Sequence, residues 1–122
     1  MSTSRIPVIV LIEGLGELEA EFIRFFAPMT VDELVRKMPI EGFLASWDNA
    51  VYIVTEISRG AEKTVQKLKK GDIFYWPPGR VLGIAVVEHT PRVQTVKVGR
   101  LTSGFELPQQ ARQGARMRFL PR

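Results

Sequence analysis

The chain has 122 residues, no cysteine and one histidine, which excludes disulfides, thiolate nucleophiles and a histidine-rich metal centre. Its net charge of +4 arises at the carboxyl-terminal end, because residues 1–107 carry 13 basic and 13 acidic side chains. A body without net charge is a poor surface for polyanions, so a nucleic-acid partner is not expected.

A chain of this length suits one domain, 1–122, with an ordered core over roughly residues 5–120. No apolar stretch approaches the roughly 20 residues that span a bilayer, and the first apolar run is interrupted by Pro7 and ended by Glu13. We therefore expect a cytoplasmic protein with no membrane partner. The residues give no indication of a metal or another cofactor.

Two strands are predicted at the start of the chain. The uniformly apolar run 6–12 predicts a strand buried on both faces. In 17–24, apolar residues alternate with three glutamates, which predicts a strand with one solvated face.

One helix follows. Thr30 and Glu33 have the spacing of a capping box, and Met29 and Leu34 suit the accompanying hydrophobic staple, so the helix is expected to begin at Thr30. Pro39 is expected to end it.

The remaining elements are mostly short strands. The runs 43–47 and 51–55 predict a hairpin around Asp48-Asn49-Ala50, and a polar, lysine-rich excursion follows through residue 70. Further strands are predicted at 73–76, 81–87, 93–101 and 116–119, with a short helix over 106–112. This order favours a mostly β fold: a closed barrel of about eight strands with one or two capping helices.

The run Gly71-Asp72-Ile73-Phe74-Tyr75-Trp76-Pro77-Pro78-Gly79, continued by the buried strand from Val81, resembles a cyclophilin-like family of small, uncharacterised prokaryotic proteins with a Y-W-P-P-G motif. Thr90-Pro91 matches a later element of that family, although Glu88 stands where glycine is usual. Residues 98–107 are similar to a strand-turn-helix segment of cyclophilins. The resemblance implies a cyclophilin-like barrel.

The same resemblance does not supply a catalytic residue. Proline-isomerising cyclophilins use an arginine on a barrel strand to weaken the amide resonance of the substrate, beside an apolar pocket for the proline ring. The corresponding stretch here, 43–55, contains no arginine.

The candidate ligand-binding residues are aromatic, proline or polar side chains near three predicted turns. Trp76, Pro77 and Pro78 offer stiff apolar surface, and Arg80 offers a forked donor for a carbonyl or carboxylate. Trp47 and Tyr52 flank the hairpin turn and are expected to complete the pocket, whereas His89 and Thr90 offer polar groups. Alternatively, the Trp-Pro-Pro segment is a rigid turn and His89 an ordinary loop residue.

These residues support two main hypotheses. The first is a binding domain for a small molecule or an extended, proline-containing peptide, and the alternative is a peptidyl-prolyl cis-trans isomerase that uses Arg80. Nucleic-acid binding through the carboxyl-terminal arginines ranks last. An oligomer formed through Phe25, Phe26 and Met29 stays open, since core placement explains these residues equally well.

Overall fold

A computed structural model describes residues 4–47 and 49–122. Its nine strands form one antiparallel sheet, and they are β1 (Arg5–Ile12), β2 (Gly16–Ile23), β3 (Ile40–Phe43), β4 (Ala45–Ser46), β5 (Ala50–Val54), β6 (Asp72–Trp76), β7 (Val81–Ala85), β8 (Val96–Leu101) and β9 (Arg116–Pro121). One helix, α1 (Pro28–Lys37), and two 3₁₀ turns, Pro77–Gly79 and Pro108–Gln110, complete the described structure. The mostly β prediction is confirmed, with nine strands instead of about eight.

The sheet curls into a nearly closed barrel. Its strand order is β3-β9-β1-β2-β8-β6-β7-β5-β4, so the strands at its two edges are neighbours in sequence. Near the seam, a Cβ atom added to Gly42 in β3 would lie 3.1 Å from the Ile53 Cβ in β5. Because Gly42 has no side chain, β3 and β5 can approach each other closely, and the two ends of the sheet meet here. Apolar side chains from both parts fill the interior, including Val10, Phe22, Ile53, Tyr75, Leu82 and Phe119.

The first two strands show how burial follows the barrel wall. In β2, Leu18, Ala20 and Phe22 are buried, as predicted. Of the alternating glutamates, Glu19 is exposed and Glu21 is half-buried. The prediction that β1 is buried on both faces is wrong. Val8 and Val10 point into the core, but Ile9 and Leu11 are only half-buried, because the outer face of this part of the barrel has no covering layer.

The predicted start of the helix is also wrong. Helix α1 begins at Pro28, where a missing N–H costs nothing, so Thr30 lies inside the first turn and does not cap it. The staple does not form, since Met29 is 55% exposed while Leu34 is fully buried. Instead, the Glu62 carboxylate accepts hydrogen bonds from the Met29 N–H (3.0 Å) and from the Thr30 N–H and hydroxyl (2.6 and 2.7 Å).

These bonds change the proton affinity of Glu62. Partial burial alone would raise the pKa of its carboxyl group, but the three donors and the positive charge of Arg59 together hold the pKa below its ordinary value. A carboxylate 32 residues away in sequence from Thr30 therefore caps α1.

Among the described residues, no helix is long and apolar enough to cross a bilayer.

Four other predicted elements differ from the structure. The run 43–47 is interrupted at Leu44, because β3 pairs with β9 whereas β4 pairs with β5. The strands predicted at 81–87 and 93–101 are shorter, ending at Ala85 and beginning at Val96. The helix predicted over 106–112 is only the 3₁₀ turn Pro108–Gln110, because the backbone becomes extended at Ala111 (ψ 143°).

Residues 55–71, which include the polar, lysine-rich segment, form a long connection between β5 and β6. Inside the wall, the Tyr75 hydroxyl donates to the Ile57 carbonyl (2.6 Å) and accepts from the Arg59 N–H (3.2 Å). Farther along, Leu68 exchanges two backbone hydrogen bonds with His89, at 2.9 and 3.0 Å. The start of the connection is thereby fixed to the barrel interior, and its end to the loop that carries His89.

Candidate binding site

A second apolar cluster lies outside the barrel. Successive residues of a strand face opposite sides, so Ile73 and Tyr75 in β6 enter the barrel core while Phe74 and Trp76 face outward. All of β6 is nevertheless buried, because Leu68 and Val65 of the long connection cover its outer face. Because of this covering layer, Phe74 and Trp76 belong to a second apolar cluster on the outer face of the barrel.

Aromatic rings from three strands or their ends meet in this layer. Trp47 stacks on Trp76, with ring centroids 4.9 Å apart and planes inclined by 21°. Tyr52 packs 5.5 Å from the Trp76 ring, and Phe74 lies 4.8 Å from it on the same strand. The His89 ring lies edge-on to Trp47 at 6.5 Å. The structure thus brings together four of the predicted site residues: Trp47, Tyr52, Trp76 and His89.

A glycine that the sequence did not single out provides space for this stack. Gly83 in β7 lies opposite Phe74 on one side and Tyr52 on the other. An added Cβ atom would lie 2.5 Å from the Phe74 Cζ and 2.8 Å from the Tyr52 Cβ. The missing side chain therefore leaves the space that the Phe74 ring and the Tyr52 side chain occupy.

The stack forms one wall of an open cleft of about 400 Å³. Its lining residues are Trp47, Asn49, Trp76, His89, Thr90, Pro91, Arg92 and Val93. Trp47 is 40% exposed, and Pro91 and Val93 add further apolar surface. This size suits a small molecule or the side chains of a short peptide segment.

Two ring nitrogens of the lining residues have no hydrogen-bond partner in the described part of the chain, although both atoms are buried. They are the Trp76 Nε1 and the His89 Nε2, and the Trp76 residue as a whole is 8% exposed. The other histidine nitrogen, Nδ1, lies 2.9 Å from the Val87 carbonyl oxygen. A carbonyl oxygen only accepts, so Nδ1 carries the proton, and Nε2 of the neutral ring is an acceptor.

Four of the predicted site residues do not line this cleft: Tyr52, Pro77, Pro78 and Arg80. Pro77 and Pro78 form the 3₁₀ turn after β6, which the predicted end of the strand anticipates. Arg80 follows with a left-handed backbone (φ 55°), and its carbonyl accepts bonds from the Thr55 N–H (2.8 Å) and hydroxyl (2.9 Å). The backbone of Arg80 thus fastens the turn to β5, while its exposed side chain does not line the cleft.

Four lining residues were not among the predicted site residues: Asn49, Pro91, Arg92 and Val93. The sequence marks Asn49 only as a turn residue and Val93 only as the start of a strand, gives no role to Arg92, and places Pro91 only in the Thr90-Pro91 element. The signal that connects them is their adjacency to Trp47 and Thr90, but nothing in a single sequence shows that these two turns meet. Asp48, within the predicted hairpin turn, lies outside the described residues.

Elsewhere the surface charges pair with one another. Three carboxyl-terminal arginines have carboxylates nearby: Arg118 and Arg116 lie 3.5 and 3.9 Å from Glu41, and Arg122 lies 3.2 Å from Glu19. No group of three or more histidine, aspartate or glutamate residues in the described ranges is arranged to hold a metal ion.

The antiparallel, nearly closed barrel with a helix packed against its core agrees with the cyclophilin-like barrel that the sequence resemblance implies. The chain belongs to the Cyclophilin-like family, whose model matches residues 7–119.

A solved structure has the same fold. It is the solution structure of a hypothetical protein from Archaeoglobus fulgidus, which is 21% identical to this chain and superposes with a TM-score of 0.77 over 99% of this chain and 98% of its own. At this identity the likeness shows the fold alone. No curated protein matches the sequence significantly.

Proposed function

We propose that this protein is a binding domain, whose cleft beside Trp47, Trp76, His89 and Thr90 receives a small molecule or a ring-bearing segment of an extended peptide, such as proline. The observation that carries the proposal is the open cleft itself, whose wall combines the partly exposed Trp47 indole, stacked on Trp76, with Pro91, Val93 and the polar residues His89 and Thr90. Such a combination of an apolar wall and a few polar side chains is typical of ligand sites.

The apolar part of the cleft suits a compact ring. The exposed portion of Trp47 offers a flat aromatic face, and Pro91 and Val93 lie on the same cleft. A proline ring or a small heterocycle is rigid, so it loses little conformational entropy when it packs on such a surface. Apolar packing supplies the affinity in this proposal, and the polar atoms supply the orientation.

The polar part supports the same proposal. Leaving a buried donor or acceptor without a partner costs about 1–3 kcal/mol per group. Both atoms are closed to solvent in this structure, so the Trp76 and His89 rings must shift for a ligand or a bound water to recover part of this cost. The fixed backbone of His89, which is doubly bonded to Leu68, keeps the imidazole at the cleft before any ligand arrives.

Titration with a short proline-containing peptide tests the proposal. The chain has two tryptophans, and both belong to the stack, so intrinsic fluorescence reports on this site alone. We expect fluorescence changes together with amide shifts at Trp47, His89 and Thr90. The variant Trp47→Leu is expected to weaken binding at least tenfold, as followed by the amide shifts.

The matched control is Phe43→Leu, which removes another exposed aromatic ring, located on β3 beside Arg116. It is expected to bind the peptide as the parent protein does. Equal weakening by both variants would contradict a specific role for the Trp47 cleft. If neither proline peptides nor a set of small heterocycles shifts any of these residues, the binding proposal fails.

Isomerase activity is the alternative, and one observation bears on it: Arg92, rather than Arg80, is the arginine that lines the cleft. Its guanidinium is a forked donor of the kind that would hold a substrate carbonyl. Exchange spectroscopy on the same peptide measures the rate of cis-trans interconversion. Acceleration that Arg92→Ala abolishes and Arg80→Ala retains would support this alternative, whereas binding without acceleration would contradict it.

A further inference from the structure

The barrel is not closed along its whole seam. The two edges meet at Gly42 of β3, where an added Cβ atom would lie 3.1 Å from the Ile53 Cβ and 3.4 Å from the Val54 carbonyl oxygen of β5. Beyond this point the edges diverge, since β3 pairs with β9, whereas β5 has β4 as its partner only as far as Tyr52. An open cleft of about 460 Å³ lies in the gap. We call it the seam cleft, and its lining residues are Lys37, Pro39, Ile40, Glu41, Val54, Thr55, Glu56 and Ile57.

Both walls of the seam cleft carry main-chain groups that pair with no strand in the described part of the chain. In an antiparallel strand, successive residues direct their N–H and C=O groups to opposite sides. Just after β3, Leu44 donates toward β9 (2.7 Å), so Glu41, three residues earlier, directs its groups to the seam. At the end of β5, Thr55 donates to the Arg80 carbonyl on the β7 side (2.8 Å), so Val54 directs its groups to the seam.

The seam cleft also has an apolar part and one fixed wall. Ile40 and Ile57 are buried members of the barrel core. The Thr55 hydroxyl donates to the Arg80 carbonyl (2.9 Å) and accepts from the Ile57 N–H (3.1 Å). The Ile57 carbonyl accepts from the Tyr75 hydroxyl (2.6 Å). These bonds hold the β5 wall in place before any ligand binds, which lowers the entropic cost of binding.

From these features we infer that the seam cleft binds a short, extended peptide segment, which adds a strand at the open edge of the barrel. The peptide donates to the Val54 carbonyl on one side and accepts from the Glu41 N–H on the other. Its β-branched apolar side chains face Ile40 and Ile57. In this mode of recognition, main-chain hydrogen bonds supply the affinity and the apolar contacts supply the specificity. The site is separate from the cleft beside Trp47.

A short segment fits the seam cleft better than a second copy of this chain does. Eight residues line the cleft, whereas a standard protein–protein interface has about 20–30 residues on each side. In the described ranges the strands at the two edges of the sheet are β3 and β4, and both lie at the seam, so a second copy has no other edge strand to insert. Exposed charged residues, Lys37, Glu41 and Glu56, also disfavour pairing with another sheet.

Titration of the isotope-labelled protein with the peptide acetyl-Thr-Val-Thr-Val-Thr-amide tests the inference. We expect the amide signals of Glu41 and Glu56 to shift, and hydrogen exchange at the Glu41 amide to slow at least tenfold. The Leu44 and Thr55 amides are internal controls, because both are already bonded in the free protein. The same peptide N-methylated at every residue keeps the side chains but has no N–H groups, and it is expected to bind at least tenfold more weakly.

Two variants at one position separate main-chain from side-chain recognition. Glu41→Pro removes the N–H that faces the seam cleft, and it leaves the bonds of β3 to β9 available. Glu41→Ala removes the side chain and keeps this N–H. We expect Glu41→Pro to weaken peptide binding at least tenfold and Glu41→Ala to change it less than twofold. If Glu41→Pro fails to fold, the comparison of the two peptides still decides the question.

Further outcomes are equally decisive. Equal binding of the two peptides, or equal weakening by the two Glu41 variants, would overturn the inference. Absence of binding, or signal shifts confined to the cleft beside Trp47, would also overturn it. Protection of the Glu41 amide that rises with protein concentration in the absence of peptide would overturn it in favour of a second copy. Slower exchange at Glu41 that only the unmethylated peptide produces, and that Trp47→Leu leaves unchanged, supports it.

Discussion

Gly83 offers the sharpest test of how the aromatic cluster is built. In Gly83→Ala the new methyl group would lie 2.5 Å from the Phe74 Cζ, 2.7 Å from the Val51 carbonyl oxygen and 2.8 Å from the Tyr52 Cβ. Each distance is shorter than an ordinary van der Waals contact of at least 3.4 Å. Phe74 is fully buried, so its ring cannot swing away into solvent.

The cost follows from overpacking. Inserting a methyl group into a filled site costs typically about 1–3 kcal/mol, and the upper part of this range applies because one clash is with backbone. Replacing glycine also reduces the entropy of the unfolded chain, which offsets about 0.5–1 kcal/mol. The expected net loss in the free energy of unfolding is about 2 kcal/mol, or about 8 °C in Tm for a chain of this size.

Urea unfolding followed by tryptophan fluorescence measures this loss directly at the affected cluster. The matched control is Gly60→Ala, since a Cβ atom at Gly60 meets nothing within 4 Å and its backbone does not need a positive φ. The control is expected to stay within about 0.5 kcal/mol of the parent protein. Equal stability of the two alanine variants would refute the argument that Gly83 provides space for the stack.

Three further changes probe other parts of the fold. Glu62→Gln is expected to cost about 1 kcal/mol in urea unfolding at neutral pH. The pKa of Glu62 is lower in the folded protein than in the unfolded chain, so the extra stability of the parent protein over Glu62→Gln is fully present above about pH 4.3. It is lost as the pH falls through the lowered pKa. A stability difference that stays constant down to pH 2 would contradict the capping role. Tyr75→Phe leaves the buried Ile57 carbonyl without its hydroxyl donor and should lower the free energy of unfolding by about 1–3 kcal/mol. The amide hydrogen of Arg59 should exchange faster, and unchanged exchange there would contradict the role of the Tyr75 hydroxyl. Gly99→Ala puts a methyl group 2.1 Å from a carbonyl oxygen of β2 and should lower the free energy of unfolding by more than about 3 kcal/mol. We expect the cooperative urea transition to be lost. A stable variant would show that β2 and β8 can separate locally.

Strand positions were predictable where the pattern along the chain was regular. The alternation in β2 and the apolar run ended by Pro77 needed no tertiary information, because side-chain period and proline chemistry are local properties. Predictions failed where a distant partner decided the outcome. Thr30 fits a capping box locally, but Glu62 of the long connection supplies the cap.

The candidate site shows the same division. Trp47, Tyr52, Trp76 and His89 were predicted individually from their chemistry, and the structure places their rings in one cluster around the stacked pair Trp47 and Trp76. Arg80 was grouped with Trp76 because it lies close in sequence, but the turn after β6 directs the two residues differently. Arg92 lines the cleft in its place, through a loop that meets the tryptophans only in the folded barrel.

The sequence by itself determined a mostly β fold, because the short apolar strands and the turn residues each act on their own few residues, and its resemblance to the cyclophilin-like family implied the type of barrel. Only the tertiary structure decided that the aromatic residues gather outside the barrel. That placement depends on Leu68 and Val65, which cover the outward face of β6, and on the space left at Gly83. Burial of this kind is a property of neighbours that are remote in sequence, so no local pattern reveals it.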